Sequence, residues 1–110
     1  MLKSTIALFL AAAISSAPTY ECIGTFECTA YAEDEITATG TIPRHMETVA
    51  VDPDVIPYGT KLYIEDLDIT VTAEDCGGAV QGNVIDIFMD GTEEETDSFG
   101  RQLHRVWIMR

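Results

Sequence analysis

Apolar and polar residues alternate over short stretches along most of this chain, and that period predicts strands. Residues 25–31 are rich in β-prone types, 47–51 alternate into an apolar face, and 61–65 do so again through Leu62 and Ile64. Residues 69–73, 83–89 and 103–109 read as three further strands. Between the second and third, Asp52-Pro53-Asp54-Val55-Ile56-Pro57-Tyr58-Gly59 is expected as an ordered loop, because two prolines remove ladder donors and Gly59 invites a turn. Asp66-Leu67-Asp68 predicts a tight reversal. One helix is expected: Thr92 as N-cap and Glu95 three residues on form a capping box, acids fill the first turn, and Gly100 stops it. Six short strands with one or two short helices, without repeats, predict a mainly β fold, a small closed barrel.

The N-terminus changes the picture of compartment. A basic start at Lys3, an unbroken apolar run over 6–14 and the small residues Ser15-Ser16-Ala17 predict a secretory signal over 1–17. The run is shorter than the roughly 20 apolar residues of a membrane span. Residues 18–24 then read as a tether and 25–110 as one domain, secreted and with no stable membrane span once the signal is removed. Nineteen acids against six bases give a formal charge of −13, which argues against nucleic acid or an anionic membrane as partner. Three cysteines, Cys22, Cys28 and Cys76, survive signal removal, and their pairing is open. They have no zinc-like spacing with His45 or His104, so no metal and no cofactor is expected.

Three aspartates are the candidate chemistry. Asp52, Asp75 and Asp86 each interrupt or end an apolar, β-rich run, where a carboxylate is costly unless it has a partner or a job. Asp86, between Ile85 and Ile87, must point to the opposite face from them. Asp52, before Pro53, is either a turn cap or a site residue. The segment from Asp75 to Gly82 holds three glycines, which permit close backbone approach to a ligand or simply a wide turn between strands. Tyr31, Tyr58 and Trp107 are candidates for stacking on sugar rings; for Trp107, inside an apolar terminal strand, packing in the core is the stronger expectation.

The ordered set Thr29-Ala30-Tyr31, Thr37-Ala38-Thr39-Gly40, Val49-Ala50-Val51-Asp52-Pro53, Ile56-Pro57-Tyr58-Gly59-Thr60, Ala73-Glu74-Asp75-Cys76-Gly77-Gly78-Ala79-Val80-Gln81-Gly82 and Ile85-Asp86-Ile87-Phe88 resembles the 3D (Asp-Asp-Asp) domain family, which is related to MltA-type lytic transglycosylases and to stationary-phase survival proteins. The resemblance implies a double-psi β-barrel that cleaves the glycan strands of peptidoglycan at the cell wall. It puts Asp86 on the catalytic acid/base position, Asp75 and Asp52 on the other two name-giving aspartates, and Gly77, Gly78, Ala79, Gln81, Gly82, Tyr31, Tyr58 and Thr39 near the substrate. A bridge between Cys28 and Cys76 is expected because it would hold the aspartate loop against the first strand, at a position where the resemblance tolerates a small residue; a bridge between Cys22 and Cys28, closing a short local loop, is the alternative. Gln81 departs from the family's usual lysine, and the stretch between Tyr31 and Thr37 is shorter than in many members.

One carboxyl group suffices for such a reaction. A hydrolase divides acid and base work between two carboxylates, whereas a lytic transglycosylase lets the sugar's own 6-hydroxyl attack, so that one group serves first as acid and then as base. The competing class is a non-catalytic wall-binding module, since double-psi barrels also occur in expansin-like and barwin-like proteins and fold does not fix function.

Overall fold

The computed structural model describes residues 17–110, so the leader expected over 1–17 falls, but for Ala17, outside the described residues. Six strands and one helix follow in the order β1 (Tyr20–Tyr31), β2 (Thr48–Ala50), β3 (Lys61–Ile64), β4 (Ile69–Asp75), β5 (Val84–Phe88), α1 (Glu93–Phe99) and β6 (Gln102–Met109). They close into a barrel in the order β1-β5-β2-β4-β3-β6. Two of the six pairings, β1 with β5 and β2 with β4, are parallel and the others antiparallel. Closure leaves no free sheet edge, which suits a short chain whose strands are otherwise exposed to mispairing.

Alternation decides what enters the barrel. Phe26 and Cys28 of β1, Leu62 and Ile64 of β3, Val71 and Ala73 of β4, Ile85 and Ile87 of β5 and Val106 of β6 all point inward and are almost fully buried. Val49, Val51 and Ile56 complete this core, the last reaching in from the proline loop. That loop is ordered as its residues predict: Val55 and Ile56 donate N–H bonds back to Asp52 O, and Gly59 N–H donates to Ala73 O. The reversal at Asp66 and Asp68 is also present, with positive φ at both, a conformation that aspartate tolerates better than most residues. In α1, Thr92 Oγ1 accepts from Glu95 N, and Gly100 at φ 65° ends the helix.

Three expectations are corrected. β1 begins at Tyr20, so most of the expected tether is barrel wall paired with β6, and its register slips between Cys22 and Gly24, where Gly24 takes φ 112°. Trp107 is not in the core: Val106 takes the inward position of β6, and Trp107 faces out beside Tyr20 and Tyr63. The bridge between Cys28 and Cys76 is absent, and all three thiols are free. Cys28 lies inside the barrel, where burial pushes its thiol up to about 11, whereas Cys76 is on the surface. A side chain committed to the inward row cannot reach a surface loop without turning its strand over.

Candidate active site

One small residue of β2 brings two of the aspartates together. Ala50 pairs with Asp86 of β5 on one side and with Asp75 of β4 on the other. The register of β2 against β4 slips between Val49 and Ala50, so that Val49 faces Ala73, Ala50 faces Asp75, and Glu74 is the extra residue. A bulge of this kind re-aims the side chain that follows it. Asp75 therefore ends the inward row of Val71 and Ala73 at the rim of the barrel, 8% exposed, while Asp86 faces away from the core between Ile85 and Ile87. Both line a cleft of about 310 Å3 together with Tyr31, Glu33, Asp34, Ala50, Cys76, Gly77 and Val80.

The two carboxyl groups are held in opposite states. Burial raises Asp86, and the negative charge of Asp75 adds to it; the Thr29 hydroxyl, donating to Oδ1 at 2.9 Å, only partly opposes them. For Asp75, burial is the largest influence and acts upward, but hydrogen bonds outweigh it and hold the group below the usual carboxylate range. They come from the Asp34 carboxyl, from Ala38 N–H (2.9 Å) and Cys76 N–H (3.0 Å) to Oδ1, and from Tyr31 O–H (3.0 Å) to Oδ2. The partner Asp34 is lifted to about 6 by its hydrogen bond to Asp75, by burial and by the charge of Asp75. Burial and Asp75 also push the Tyr31 phenol above its ordinary value, so it stays a donor. Edge-to-face packing on Phe88, with centroids 5.6 Å apart, fixes the Tyr31 ring. The cleft thus sets a carboxyl whose pKa is raised beside one whose pKa is lowered, the kind of separation that acid/base chemistry uses.

The third aspartate is placed differently. Asp52 does not line the cleft; Oδ1 accepts from Asp54 N–H at 3.0 Å and Oδ2 from Gly82 N–H at 2.8 Å, which ties the proline loop to the glycine loop. These N–H bonds hold its carboxyl below the usual range. Of the expected substrate contacts, Gly77 and Tyr31 line the cleft. Gly78, Ala79 and Gly82 lie in the same loop beyond the lining, and the Gln81 amide turns back to donate to Gly78 O. Tyr58 does not line the cleft, and Thr39 uses its hydroxyl to bond Glu74 O. Asp34, Ala50 and Cys76 are site residues that the residue patterns do not single out; Asp34 is hidden in the run Ala32-Glu33-Asp34-Glu35, which reads as solvated acid. The lining holds no lysine or arginine, and among the described residues no three His, Cys, Asp or Glu side chains are placed to hold a metal ion.

The 3D domain family matches residues 47–110, more than half of the chain. The cell wall-binding protein YocH of Bacillus subtilis (strain 168) is 37% identical over 81 residues, covering 66% of this chain and 28% of that protein. Among solved structures, the lytic transglycosylase MltA from Escherichia coli superposes with a TM-score of 0.59 at 25% identity, over 73% of this chain and 28% of its own. LtgG, a lytic transglycosylase of Burkholderia pseudomallei, does so with a TM-score of 0.56 at 26% identity, over 72% and 27%. The chain spans less than a third of the length of each of these proteins.

Proposed function

Because the chain belongs to the 3D domain family, we propose that it acts outside the cytoplasm on the bacterial cell wall and cleaves peptidoglycan between N-acetylmuramic acid and N-acetylglucosamine as a lytic transglycosylase. The observation that carries this reading is the pairing of Asp86, biased toward its protonated form by burial, with the ionised Asp75 across Ala50. Thr29 engages Oδ1 of Asp86, which leaves Oδ2 to carry the working proton. Oδ2–H protonates the glycosidic oxygen as the bond to C1 of the muramoyl residue breaks. Positive charge gathers on that sugar ring, and the fixed negative charge of Asp75 stabilises it. The 6-hydroxyl of the same sugar then attacks C1, and its proton passes to the Asp86 carboxylate. The products are a 1,6-anhydro end and a free 4-hydroxyl, with no water consumed and Asp86 restored. Asp52 acts at a distance, as the tie that sets the position of the glycine loop.

The glycan as substrate is supported by the likeness to MltA, which has also been solved with bound chitohexaose. The name of YocH favours a second reading, in which the same cleft binds wall glycan without cleaving it. Mass spectrometry of the fragments released from purified peptidoglycan separates the two. Anhydro-muramoyl ends are expected from the wild-type chain; reducing ends would mean attack by water, and no fragments from any peptidoglycan type would leave the binding reading.

A further inference from the structure

A second cleft lies on the other wall of the barrel. It measures about 330 Å3 and is lined by Tyr20 of β1, Tyr63 of β3, Trp107 of β6 and Glu65. The pairing of Tyr63 with Trp107, and of Trp107 with Cys22, lays these residues across three adjacent strands, all on the outward row. The rings are not part of the buried core, whose inward positions on these strands are Phe26, Cys28, Leu62, Ile64 and Val106. Outward aromatic residues clustered on one wall of a small acidic domain mark a contact surface.

We propose that this groove is a second glycan-binding site, in which the faces of uncharged N-acetylated pyranose rings stack on Tyr63 and Trp107. The chemistry selects that occupant. Tyr20 and Tyr63 meet edge to face, 6.3 Å between centroids at 73°, so the floor is made of angled flat apolar plates suited to the C–H faces of a sugar. Polar groups at the edge are already fixed. Tyr63 O–H donates to Asp68 Oδ1 at 2.8 Å, which orients the ring and leaves the phenol oxygen to accept from a sugar hydroxyl. Glu65 Oε2 accepts from Arg105 Nε at 2.8 Å, and Oε1 is left for a second hydroxyl. Arg105 offsets the charge of Glu65 and the Asp68 carboxylate is engaged by Tyr63, so both edge carboxylates already have partners, while the charge of −13 on the whole chain repels a polyanion. An uncharged polysaccharide meets both conditions. The site differs from the aspartate cleft in position and residues, and it serves either reading of that cleft by keeping the chain on its polymer.

Trp107 is the chain's only tryptophan, so its fluorescence reports on the groove alone. Chitohexaose titrated into the full-length Asp86→Asn chain is expected to change Trp107 emission saturably. Tyr63→Ala added to that chain should weaken the apparent affinity about tenfold, the value of roughly one lost ring contact, with an unchanged far-UV spectrum as the check on folding. Tyr63→Phe, which keeps the plate, should retain most of the affinity. Trp107→Ala should lower retention on insoluble peptidoglycan while leaving the release of anhydro ends from short soluble fragments within about twofold, since no groove residue is placed in the acid/base machinery. An unchanged Trp107 emission at saturating chitohexaose would overturn the proposal. So would a response to protein concentration alone, with a dimer in sedimentation that Trp107→Ala dissolves, because the groove would then be an interface between copies of this chain. Failure of the cleavage reading would appear instead as absent anhydro ends with the fluorescence response intact.

Discussion

The two clefts are nearly the same size and obey the same alternation rule, yet they differ in almost every chemical respect. The one on the wall of β5, β2 and β4 is built of carboxyl groups with their pKa values pushed apart; the one on the wall of β1, β6 and β3 is built of flat rings whose edge carboxylates are tied to Arg105 and Tyr63. The difference teaches that in a barrel this small the inward row is committed to packing, so function falls to the outward positions and to the rim. Asp86 and Trp107 are both outward residues on apolar strands, and neither is explained by stability. Asp75 is the intermediate case, an inward-row residue that reaches the cleft because a bulge ends its strand.

The largest expected effect separates the regions outright. Asp86→Asn keeps the shape of the side chain and removes its titrating proton, so release of anhydro-muropeptides should fall by about 10²–10⁴-fold or more, because both proton transfers use this group. Retention on insoluble peptidoglycan and the Trp107 response should persist; wild-type release by this variant would remove Asp86 from the mechanism. Truncating the shared core should instead abolish the contrast. Phe26 is 1% exposed in β1, the strand that carries Tyr31 at one cleft and Tyr20 at the other, and Phe26→Ala should cost about 3–5 kcal/mol in a denaturant melt, with both sites lost together as the barrel opens.

Next in size is pH. Turnover should fall as pH rises through the raised pKa of Asp86, whereas the groove should bind equally well from about pH 6 to 8, since the Tyr63 phenol, raised by its hydrogen bond to Asp68, is not ionised there. Stability follows its own sign. Asp34 and Asp86 have raised folded-state values, so each contributes stability that is present below the unfolded value of about 4 and lost as pH rises through the folded value, about 6 for Asp34. Asp75 and Asp52, which are lowered, contribute stability that is present above about 4 and lost as pH falls through their folded values. Melting temperatures of Asp34→Asn should thus show a shallower decline between about pH 4 and 6 than wild type; an identical profile would mean that the Asp34–Asp75 pair does not share a proton. The smallest effect is assigned to Asp52. Asp52→Ala frees the glycine loop from the proline loop, so it should lower the melting temperature modestly, more at pH 7 than at pH 3, and reduce turnover less than Asp86→Asn. A loss of turnover equal to that of Asp86→Asn would give Asp52 a direct part in the chemistry.

Much of this was legible in the residues, and the reason is local. The period of two in strands such as Lys61–Ile64, the prolines around Asp52 and the capping box at Thr92 each depend on neighbours within a few positions, so composition and spacing alone pointed to the six strands, the helix and the closed barrel found among the described residues. The unusual cost of a carboxylate between Ile85 and Ile87 was visible for the same reason. Tertiary structure decided what depends on pairing between distant strands. Register against β2 set Asp75 and Asp86 on either side of Ala50, and the return of the 32–36 segment brought Asp34 to Asp75. Alternation told that Val106 and Trp107 face opposite ways but not which of them faces in; the closing of β6 between β1 and β3 settled it, burying valine and turning tryptophan outward beside two tyrosines. Cys28 and Cys76 were parted by the same choice of face, since a side chain's row is fixed only when its strand finds its partners.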